Sequence, residues 1–382
     1  MIDVSVIIVN FNAHYFIQQC ITSVLASKNV KVEIIVVDNN SEDKSPTEIA
    51  KNFPQVHLIK NKTNVGFGKA NNQAAKLAKG KYLLILNPDT VIAEDCLEQL
   101  IHLYKRKNNL GITGVKLIDG GGFFAPESKR GFPSPKVSFN KLFGISSKTT
   151  GKYYATHIKE NESGVVDILS GSFMFLKKAV FDEVDGFDER FFMYGEDIDL
   201  SYRVKINGYQ NYYLSKSTAI HYKGESTPKT NTYLKYFHSA MEIFYNKHFK
   251  LNAVYDFIMQ FGIKFWYYLK YFNLLLKNNN SNKETIQYLN FNEISNEFVF
   301  KNHTYYLLKE YPINTIQFRN SLKQKNVDVL LLDNNYLTFK EIITLFEAFK
   351  NEGVLFKIRP KHSNYIIGST NKDGNGSVLL LK

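Results

Sequence analysis

Short apolar runs alternate with amphipathic stretches along the first third of the chain. The runs are rich in β-branched residues and predict strands at Val4–Val9, Val32–Val37, Val56–Ile59, Tyr82–Leu86 and Ile112–Leu117. The stretches between them have helical spacing and predict helices near His14–Ala26, Ser45–Asn52, Lys69–Ala78 and Glu94–Lys107. This alternation predicts an α/β fold with a mostly parallel sheet flanked by helices. Ligands of such sheets bind beyond the carboxyl ends of the strands, where Asp38 and Asn87–Asp89 fall.

The pattern changes in the middle of the chain. From Asp119 to Glu162 the sequence is rich in Gly, Pro and Ser and has no sustained periodicity, which predicts a long ordered loop or lid. Regular patterns return in the apolar segment Val165–Leu176. Helices are then predicted near Lys178–Val184 and Glu196–Asn207, and an apolar stretch follows near Tyr209–Leu214.

The last third of the chain predicts an amphipathic helix and a second, small α/β domain. The segment Val254–Lys277 places apolar and aromatic residues on about half of a helical wheel, and lysines interrupt the run. It is therefore too polar for a spanning helix. Two interpretations stay open: an in-plane membrane helix with Trp266 at the interface, or a helix packed on the protein's own core. A polar linker is predicted at Asn278–Lys283, so the expected domains are residues 1–249, a helical segment and linker at 250–280, and residues 281–382.

Composition narrows the classes of partner. The chain has 382 residues, enough for two domains, and its 48 Lys and Arg against 36 Asp and Glu give a formal charge of +12, which favours anionic partners. The basic residues are scattered singly and have no zinc-ligand spacing, so nucleic acid is not an expected partner. Cys20 and Cys96 form no CxxC pair, which indicates a reducing compartment. The first apolar run reads as a strand and not as an export leader, so a cytoplasmic protein is expected.

Five short motifs occur in order along the first 245 residues. They are Val4–Asn12, Val37–Ser41, Asn64–Asn72, Leu86–Thr90 and Gly195–Leu200. Each motif alone is a weak signal, but five in this order and spacing are specific. Over roughly residues 1–245 the chain resembles glycosyltransferase family 2, the inverting transferases with the GT-A fold. The Asn-Pro-Asp of the fourth motif and the stretch Gly186–Phe192 are similar to rhamnosyltransferases of bacterial surface polysaccharide assembly.

The resemblance implies a nucleotide-sugar donor, linked through dTDP or UDP, and a glycan or lipid-linked acceptor. It places donor-binding residues at Asn10, Asn12, Asp38, Asn40, Asn64, Gly66, Asn72 and Asn87. Asp38 would accept a hydrogen bond from the imide N–H of uracil or thymine, although an N-cap role is the simpler alternative. Gly66 would let the backbone approach the ligand closely.

A divalent metal, Mn²⁺ or Mg²⁺, is the cofactor that the resemblance implies. A hard cation held by a carboxylate neutralises the charge that grows on a departing diphosphate. Asp89 is the candidate carboxylate and His221 the candidate imidazole. The family's usual motif is Asp-x-Asp, and here its first member is Asn87, which keeps an oxygen donor but loses a charge. The alternatives are a turn at Asn87–Thr90 that starts the next helix and a histidine that is only hydrogen-bonded.

Catalysis with inversion needs a base on the acceptor hydroxyl and no enzyme nucleophile. Asp197 is the predicted base, and Glu196 would orient the acceptor or the base. Several neighbouring carboxylates should raise the pKa of one of them. The structural alternative is that these acids only favour the positive end of a helix, with Asp199 and Arg203 forming a pair four residues apart. Arg130 could reach a phosphate or could simply be solvated.

A second class of function stays open. The chain could be a catalytically silent subunit that binds a sugar-nucleotide or a glycan on the same fold, and Asn87 is the main support for that reading. The sequence contains no P-loop, HExxH or nucleophile elbow, so kinase and hydrolase readings lose support. The basic balance and the 254–277 segment would hold the protein peripherally at the inner face of the cytoplasmic membrane.

Overall fold

The first sheet carries the predicted parallel arrangement. The computed structural model describes residues 2–132, 153–222, 231–250, 253–276, 287–289, 296–301, 303–369 and 376–381. The strands of the first sheet are β1 Val4–Asn10, β2 Val32–Asp38, β3 His57–Lys60, β4 Tyr82–Leu86, β5 Thr90–Ile92, β6 Leu110–Ile118, β7 Gly164–Val165, β8 Phe173–Lys177 and β9 Gln210–His221. Their order is β3-β2-β1-β4-β8-β6-β9-β5, with β7 beside β9. The strands β1, β2, β3, β4, β6 and β9 run in one direction and β5, β7 and β8 in the other. The predicted α/β class is confirmed.

Helices cover both faces of this sheet, which explains the composition of its strands. The helices are α1 His14–Leu25, α2 Ser45–Asn52, α3 Phe67–Leu77, α4 Cys96–Arg106, α5 Lys178–Glu183 and α6 Glu196–Ile206. Every residue of β1 is buried, and two separate apolar cores lie on the two faces of the sheet. A strand buried on both faces reads as a continuous apolar run and not as an alternating one. That is why the pattern located these strands to within a residue or two.

The turn after β4 differs from the sequence interpretation. Residues Asn87–Asp89 do not start a helix directly, because the short strand β5 follows them and pairs antiparallel with β9. Of the predicted lid, residues 119–132 contain a 3₁₀ turn at Pro126–Ser128 and a bridge between Arg130 and Ile168. Residues 133–152 of that lid lie outside the described part of the chain.

The predicted amphipathic helix is present and packs on a helix that precedes it. These two are α7 Asn231–His248 and α8 Ala253–Leu276. Trp266 of α8 is buried, its ring centroid 5.4 Å from that of Phe237 on α7, so the prediction that this Trp lies at a membrane interface is wrong. In the part of the chain that is described, no helix is long and apolar enough to cross a membrane.

The C-terminal part is the small α/β unit that the sequence predicts. Its strands are β10 Gln287–Leu289, β11 Glu297–Phe300, β12 His303–Leu308, β13 Val329–Asp333, β14 Leu355–Arg359, β15 Tyr365–Gly368 and β16 Ser377–Leu381. They lie in the order β10-β16-β15-β14-β13-β12-β11, with helices α9 Thr315–Gln324 and α10 Phe339–Phe349. The predicted linker at 278–283 lies outside the described residues, and the domain boundaries stay a prediction.

The C-terminal unit packs directly on the first sheet. Val91 and Ile220, from β5 and β9, share an apolar core with Phe339 and Phe346 of α10. The carboxylate of Glu94 accepts hydrogen bonds from the backbone N–H groups of Phe339 and Lys340, at 2.7 and 2.9 Å. The C-terminal unit therefore lies directly behind β5, which follows Asp89, and β9, which ends at His221.

Candidate active site

Residues of all five motifs line one cavity. It has a volume of about 740 Å³ and opens beyond the carboxyl ends of β1, β2 and β4. Of the predicted site residues, its wall contains Asn64, Gly66, Asn87, Glu196, Asp197 and His221. These residues come from loops, a strand end and a helix start that lie far apart in the sequence. The fold therefore brings residues of all five motifs to one site.

The pairing of β5 with β9 brings Asn87, Asp89 and His221 together. Thr90 is the register partner of His221, so the residues just before β5 lie beside the imidazole. The His221 Nε2 atom lies 3.3 Å from Asp89 Oδ1 and 3.4 Å from Asn87 Nδ2. The backbone N–H of Tyr222 donates to the carbonyl of Asp89 at 3.1 Å, which fixes the turn against the end of β9.

The Asp89 and His221 side chains have the free atoms that a metal site needs. Within the described residues, Asp89 Oδ1 is buried and has only the 3.3 Å contact with His221 Nε2, and His221 Nδ1 is buried and forms no hydrogen bond. Buried polar atoms normally have partners, so such atoms suggest a missing ligand. The described residues contain no cluster of three His, Cys, Asp or Glu side chains that could hold a metal. These two residues fit an open divalent site, in which phosphate oxygens and water would complete the octahedron.

The loop before α3 forms the opposite wall. Gly66 has φ of +88°, and a Cβ atom there would lie 2.5 Å from the carbonyl oxygen of Phe192, so only glycine fits. The Asn64 side chain accepts a hydrogen bond from Gly66 N at 3.0 Å. Asn39 supports the loop by donating to the Gly66 carbonyl and also lines the cavity. Asn39 lies inside the second motif, but its residue type and position predicted no role for it.

The two acids of the fifth motif begin helix α6. Gly195, with φ of +81°, is the residue that turns the chain into the helix. Asp197 Oδ2 accepts hydrogen bonds from Arg130 Nη2 at 2.5 Å and from Gly171 N at 3.0 Å. Arg130 is nearly buried and also donates to the Leu169 carbonyl at 3.1 Å, so the alternative of a solvated loop arginine is wrong. Arg130 therefore pairs with Asp197, the predicted base, and not with an open phosphate position.

Glu196 has the environment of a carboxyl group that stays protonated. Burial, together with the neighbouring Asp197 charge, raises the pKa of Glu196 to about 8. Its Oε2 atom is buried and has no hydrogen-bond partner among the described residues. The side chain lines the cavity. At neutral pH the Glu196 carboxyl group can therefore donate a hydrogen bond to a ligand. The sequence predicted a raised pKa for one of the neighbouring acids, but not which one.

Asp199 belongs to a supporting network and not to the cavity. It is fully buried and pairs with Arg203 Nε at 2.7 Å, which confirms the predicted pair four residues apart. Lys247 and His248 at the end of α7 also contact its carboxylate, at 2.8 and 2.7 Å. The network joins α7 to α6, so the wall provided by α7 is fixed relative to the two acids.

The remaining predicted donor-binding residues lie outside this cavity wall. Asp38 is buried and accepts hydrogen bonds from Asn10 Nδ2 at 2.8 Å and from Ser41 N at 3.1 Å. Asn12 Oδ1 accepts from Glu42 N at 2.8 Å. Asn40 is exposed, in the left-handed region with φ of +66°. In this structure these residues shape the loop behind Asn39, and their contact with a nucleotide stays a prediction.

Asn72 holds a loop in place instead of facing the cavity. Its Nδ2 donates to the Phe187 carbonyl at 2.8 Å, and its Oδ1 accepts from Phe187 N at 2.9 Å. Both halves of the side-chain amide are therefore occupied by the segment that leads to Gly195. Its position supports a structural role, and its contact with a donor stays a prediction.

Aromatic residues form a wall that the sequence analysis missed. Phe192, Tyr194, Tyr233 and Tyr236 line the cavity. Ring centroids lie 4.5 Å apart for Phe192 and Tyr236 and 5.1 Å apart for Tyr194 and Tyr233. The signal available in the sequence was the helical spacing of aromatic residues between 233 and 245. Such a wall suits the apolar face of a sugar ring.

Comparisons with known proteins identify the family of this chain. The family model described as glycosyl transferase family 2 matches residues 5–185. The rhamnosyltransferase WbbL of Escherichia coli is 32% identical over 201 residues, which cover 49% of this chain and 72% of that protein. An N-acetylglucosaminyl-diphospho-decaprenol L-rhamnosyltransferase of Mycobacterium tuberculosis is 25% identical over 236 residues, 58% of this chain and 76% of that protein. A mannosyltransferase from Pyrobaculum calidifontis, solved in complex with GDP-Man and Mn²⁺, is similar with a TM-score of 0.45 and 17% identity over 70% of both chains.

Proposed function

The chain belongs to glycosyltransferase family 2, and we propose that it is an inverting transferase that moves a sugar from a dTDP- or UDP-linked donor to a glycan or lipid-linked acceptor. The observation that carries the proposal is the single cavity in which Asn64, Gly66, Asn87, the 196–197 acids and His221 meet. Rhamnose is the first candidate sugar, because two similar proteins are named as rhamnosyltransferases.

The donor diphosphate would lie near the end of β4. Asp89 and His221 would hold Mn²⁺ or Mg²⁺ there, and Asn87 beside them offers an amide to a phosphate oxygen. When bound, the ion would supply positive charge opposite the diphosphate. The loop of Asn64 and Gly66, supported by Asn39, would surround the nucleotide at the other end of the cavity. We keep Asn10, Asn12, Asp38 and Asn40 as proposed contacts of this end.

Transfer would proceed by one displacement. The Asp197 carboxylate accepts the proton of the acceptor hydroxyl, the acceptor oxygen forms a bond to the anomeric carbon, and the bond from that carbon to the diphosphate breaks. The nucleoside diphosphate leaves with the bonding electrons. Arg130 and the N–H of Gly171 hold the Asp197 carboxylate in place. Glu196, protonated at neutral pH, donates a hydrogen bond that orients the acceptor.

The acceptor and the location are the finer part of the proposal. The name of the mycobacterial relative gives that protein an acceptor linked to decaprenol through a diphosphate. We propose an acceptor of the same chemical class for this chain, within bacterial surface polysaccharide synthesis. Such an acceptor is anchored in a bilayer, so the protein would work at the inner face of the cytoplasmic membrane.

Turnover measurements with a panel of dTDP-, UDP- and GDP-sugars test the function. We expect one donor to raise the melting temperature of the protein. The nucleotide of that donor should be released faster when Mn²⁺ and an acceptor are present than when they are absent. Asp197→Asn should abolish transfer and leave donor binding nearly unchanged, whereas Asp182→Asn, at an exposed acid paired with Lys178, should behave as the native chain. Undiminished turnover of the Asp197 variant would contradict the assigned base.

A catalytically silent binding subunit is the second candidate. Two observations favour it: Asn87 replaces the usual first acid, and both oxygens of Asp197 already accept hydrogen bonds, from Arg130, Gly171 and Ile198. The same panel separates the two candidates. Donor binding without turnover, with every metal and acceptor offered, would select the silent subunit.

A further inference from the structure

One face of helix α8 exposes a stripe of large aromatic side chains. Phe257, Phe261, Tyr268 and Phe272 are 71%, 62%, 66% and 60% exposed. Their spacings of four, seven and four residues place them within one quarter of the circumference of a helix with 3.6 residues per turn. Neighbouring rings stack along it, with centroids 6.5 Å apart for Phe257 and Phe261. Contiguous exposed apolar surface of this kind marks an interaction site.

The opposite face of α8 is fixed to the protein. Asp256, Ile263 and Trp266 are buried. The Tyr245 hydroxyl of α7 donates to Asp256 Oδ1 at 2.7 Å, and Trp266 contacts Phe237. The helix is therefore anchored through one face, and the aromatic stripe on the other face is held outward by this packing.

The charges of α8 select the kind of partner. The one acidic residue in the α8 sequence, Asp256, is buried and hydrogen-bonded, whereas Lys264 and Lys270 are exposed. On a helical wheel Lys264 lies immediately beside the stripe. The whole chain carries a formal charge of +12. An apolar stripe with exposed ammonium groups on the same helix complements a surface that is apolar inside and anionic outside.

We infer that this aromatic stripe docks α8, in the plane of the membrane, on an anionic lipid bilayer. The aromatic rings would enter the boundary between headgroups and acyl chains, and the ammonium group of Lys264 would stay with the headgroup phosphates. A stripe along a single helix fits this shallow insertion.

Docking by this face would bring the cavity close to the bilayer, and this step rests on the proposed function. Tyr233 and Tyr236 of α7 line the cavity. Ring contacts continue from Tyr233 to Phe237, at 6.0 Å, and from Phe237 to Trp266, at 5.4 Å. The α7–α8 layer thus lies between the cavity and the docking face. A sugar joined to a membrane lipid through a diphosphate would have a short path to the acids at 196 and 197.

Co-sedimentation of the full chain with vesicles tests the docking face. The probes are vesicles of phosphatidylcholine alone and of phosphatidylcholine mixed with phosphatidylglycerol. We expect binding to the mixed vesicles, and a loss of roughly tenfold or more in the partition coefficient for the triple variant Phe257→Ser, Phe261→Ser and Phe272→Ser. Val299→Ser with Ile316→Ser, at residues exposed to a similar degree in the C-terminal unit, is the matched control and should bind as the native chain.

Two further measurements make the result decisive. Trp266 is the one tryptophan and is buried against α7, so an unchanged emission spectrum shows that the stripe variant keeps the α7–α8 packing. Lys264→Glu should weaken binding to the anionic vesicles and leave the weak binding to phosphatidylcholine unchanged.

Equal binding of native chain and stripe variant would overturn the inference. So would a native dimer that the stripe substitutions dissociate while no vesicle is bound. Vesicle binding without sugar transfer would support the docking face and reject the proposed function.

Discussion

Arg130 and Asp197 form an ion pair that joins two distant parts of the chain inside the protein. Both side chains are more than four-fifths buried, and Arg130 Nη2 lies 2.5 Å from Asp197 Oδ2. Removing one member of such a pair leaves an uncompensated buried charge, which costs more than the pair itself contributes. The pair is therefore a positioning device for the proposed base and also a point of vulnerability.

We expect Arg130→Met to lower the free energy of unfolding by about 3–5 kcal/mol, because it leaves the Asp197 carboxylate buried and unpaired. The double variant Arg130→Met with Asp197→Asn should recover much of that loss, since no unpaired charge remains. Urea unfolding of the two single variants and the double variant measures the coupling.

The control for this cycle is Arg190→Met, at an exposed arginine that pairs with Asp188. It should change stability little, because pairs near the surface contribute little. Strictly additive effects of the Arg130 and Asp197 substitutions would contradict the coupling.

Glu196 predicts a dependence of stability on pH. Its pKa is raised to about 8 by burial and by Asp197, against an ordinary value near 4.5. The folded state therefore holds this proton more tightly than the unfolded state, so the stabilisation is complete below about pH 4.5 and is lost as the pH rises through about 8. In Glu196→Gln this loss should disappear. We expect the variant to gain stability relative to the native chain between pH 5 and pH 9, by an amount on the order of a few kcal/mol.

Thermal unfolding of native chain and Glu196→Gln across this pH range measures the effect. Comparing the two pH profiles, and not the absolute stabilities, removes the change in hydrogen bonding that the amide brings. Glu183→Gln, at an acid outside the cavity that accepts from Tyr209, is the control. Parallel profiles for the native chain and Glu196→Gln would contradict the raised pKa.

Residue types and order predicted which acids and amides meet, but not what each one touches. Asn87 and Asp89 lie in one motif that carries its own spacing, whereas His221 was proposed only from the family resemblance. The contacts of Arg130 and Asn72 depend on segments 67 and 115 residues away, and nothing local in the sequence records them. Both side chains are used inside the protein. Arg130 donates to the Asp197 carboxylate and to the Leu169 carbonyl, and the side-chain amide of Asn72 is hydrogen-bonded to the Phe187 backbone.

At the scale of elements, length and local pattern decided what the sequence could predict. The strands β1, β2 and β4 are long apolar runs buried on the sheet, and their bounds were predicted closely. Strand β5 has only three residues and exists through its pairing with β9, a long-range contact with no local period. The same short strand leads into Glu94, so the missed element also connects the two units.

Glu94 caps helix α10 from outside its own unit, which predicts a measurable contribution. Its carboxylate accepts from the N–H groups of Phe339 and Lys340, two donors that a helix start leaves without an intrahelical partner. We expect Glu94→Ala to lower the free energy of unfolding by about 1–3 kcal/mol, measured by urea unfolding. Glu98→Ala, on the exposed side of α4, is the matched control. An equal effect of the two substitutions would contradict the capping role.

On the scale of the whole molecule, the C-terminal unit behaves as a second layer of the first domain. Val91 and Ile220 share a core with α10. Lys116 of β6, nearly buried, pairs with Glu347 of α10 at 2.7 Å. Strand β5, which follows Asp89, and strand β9, which ends at His221, are therefore held between the cavity and this unit. The alternation of elements predicted a second α/β unit. The apolar residues of β5 and β9 gave no sign that this unit would pack on them.

Removing residues 277–382 should consequently damage the first domain itself. The truncation would expose Val91, Ile220 and Tyr222, and each large apolar side chain returned to water costs about 1.5–3 kcal/mol. We expect the truncated chain to aggregate or to melt at a lower temperature, and the full chain to unfold in one cooperative transition, both measured by calorimetry with light scattering. A milder test is Glu347→Lys, which should weaken the packing of the C-terminal unit on the first sheet. Adding Lys116→Glu should restore part of that packing, because the ion pair is rebuilt with reversed signs. A truncated chain that stays monomeric, with an unchanged melting temperature and an unchanged response to Mn²⁺, would show instead that the two units are independent and that the strands of Asp89 and His221 need no support from behind.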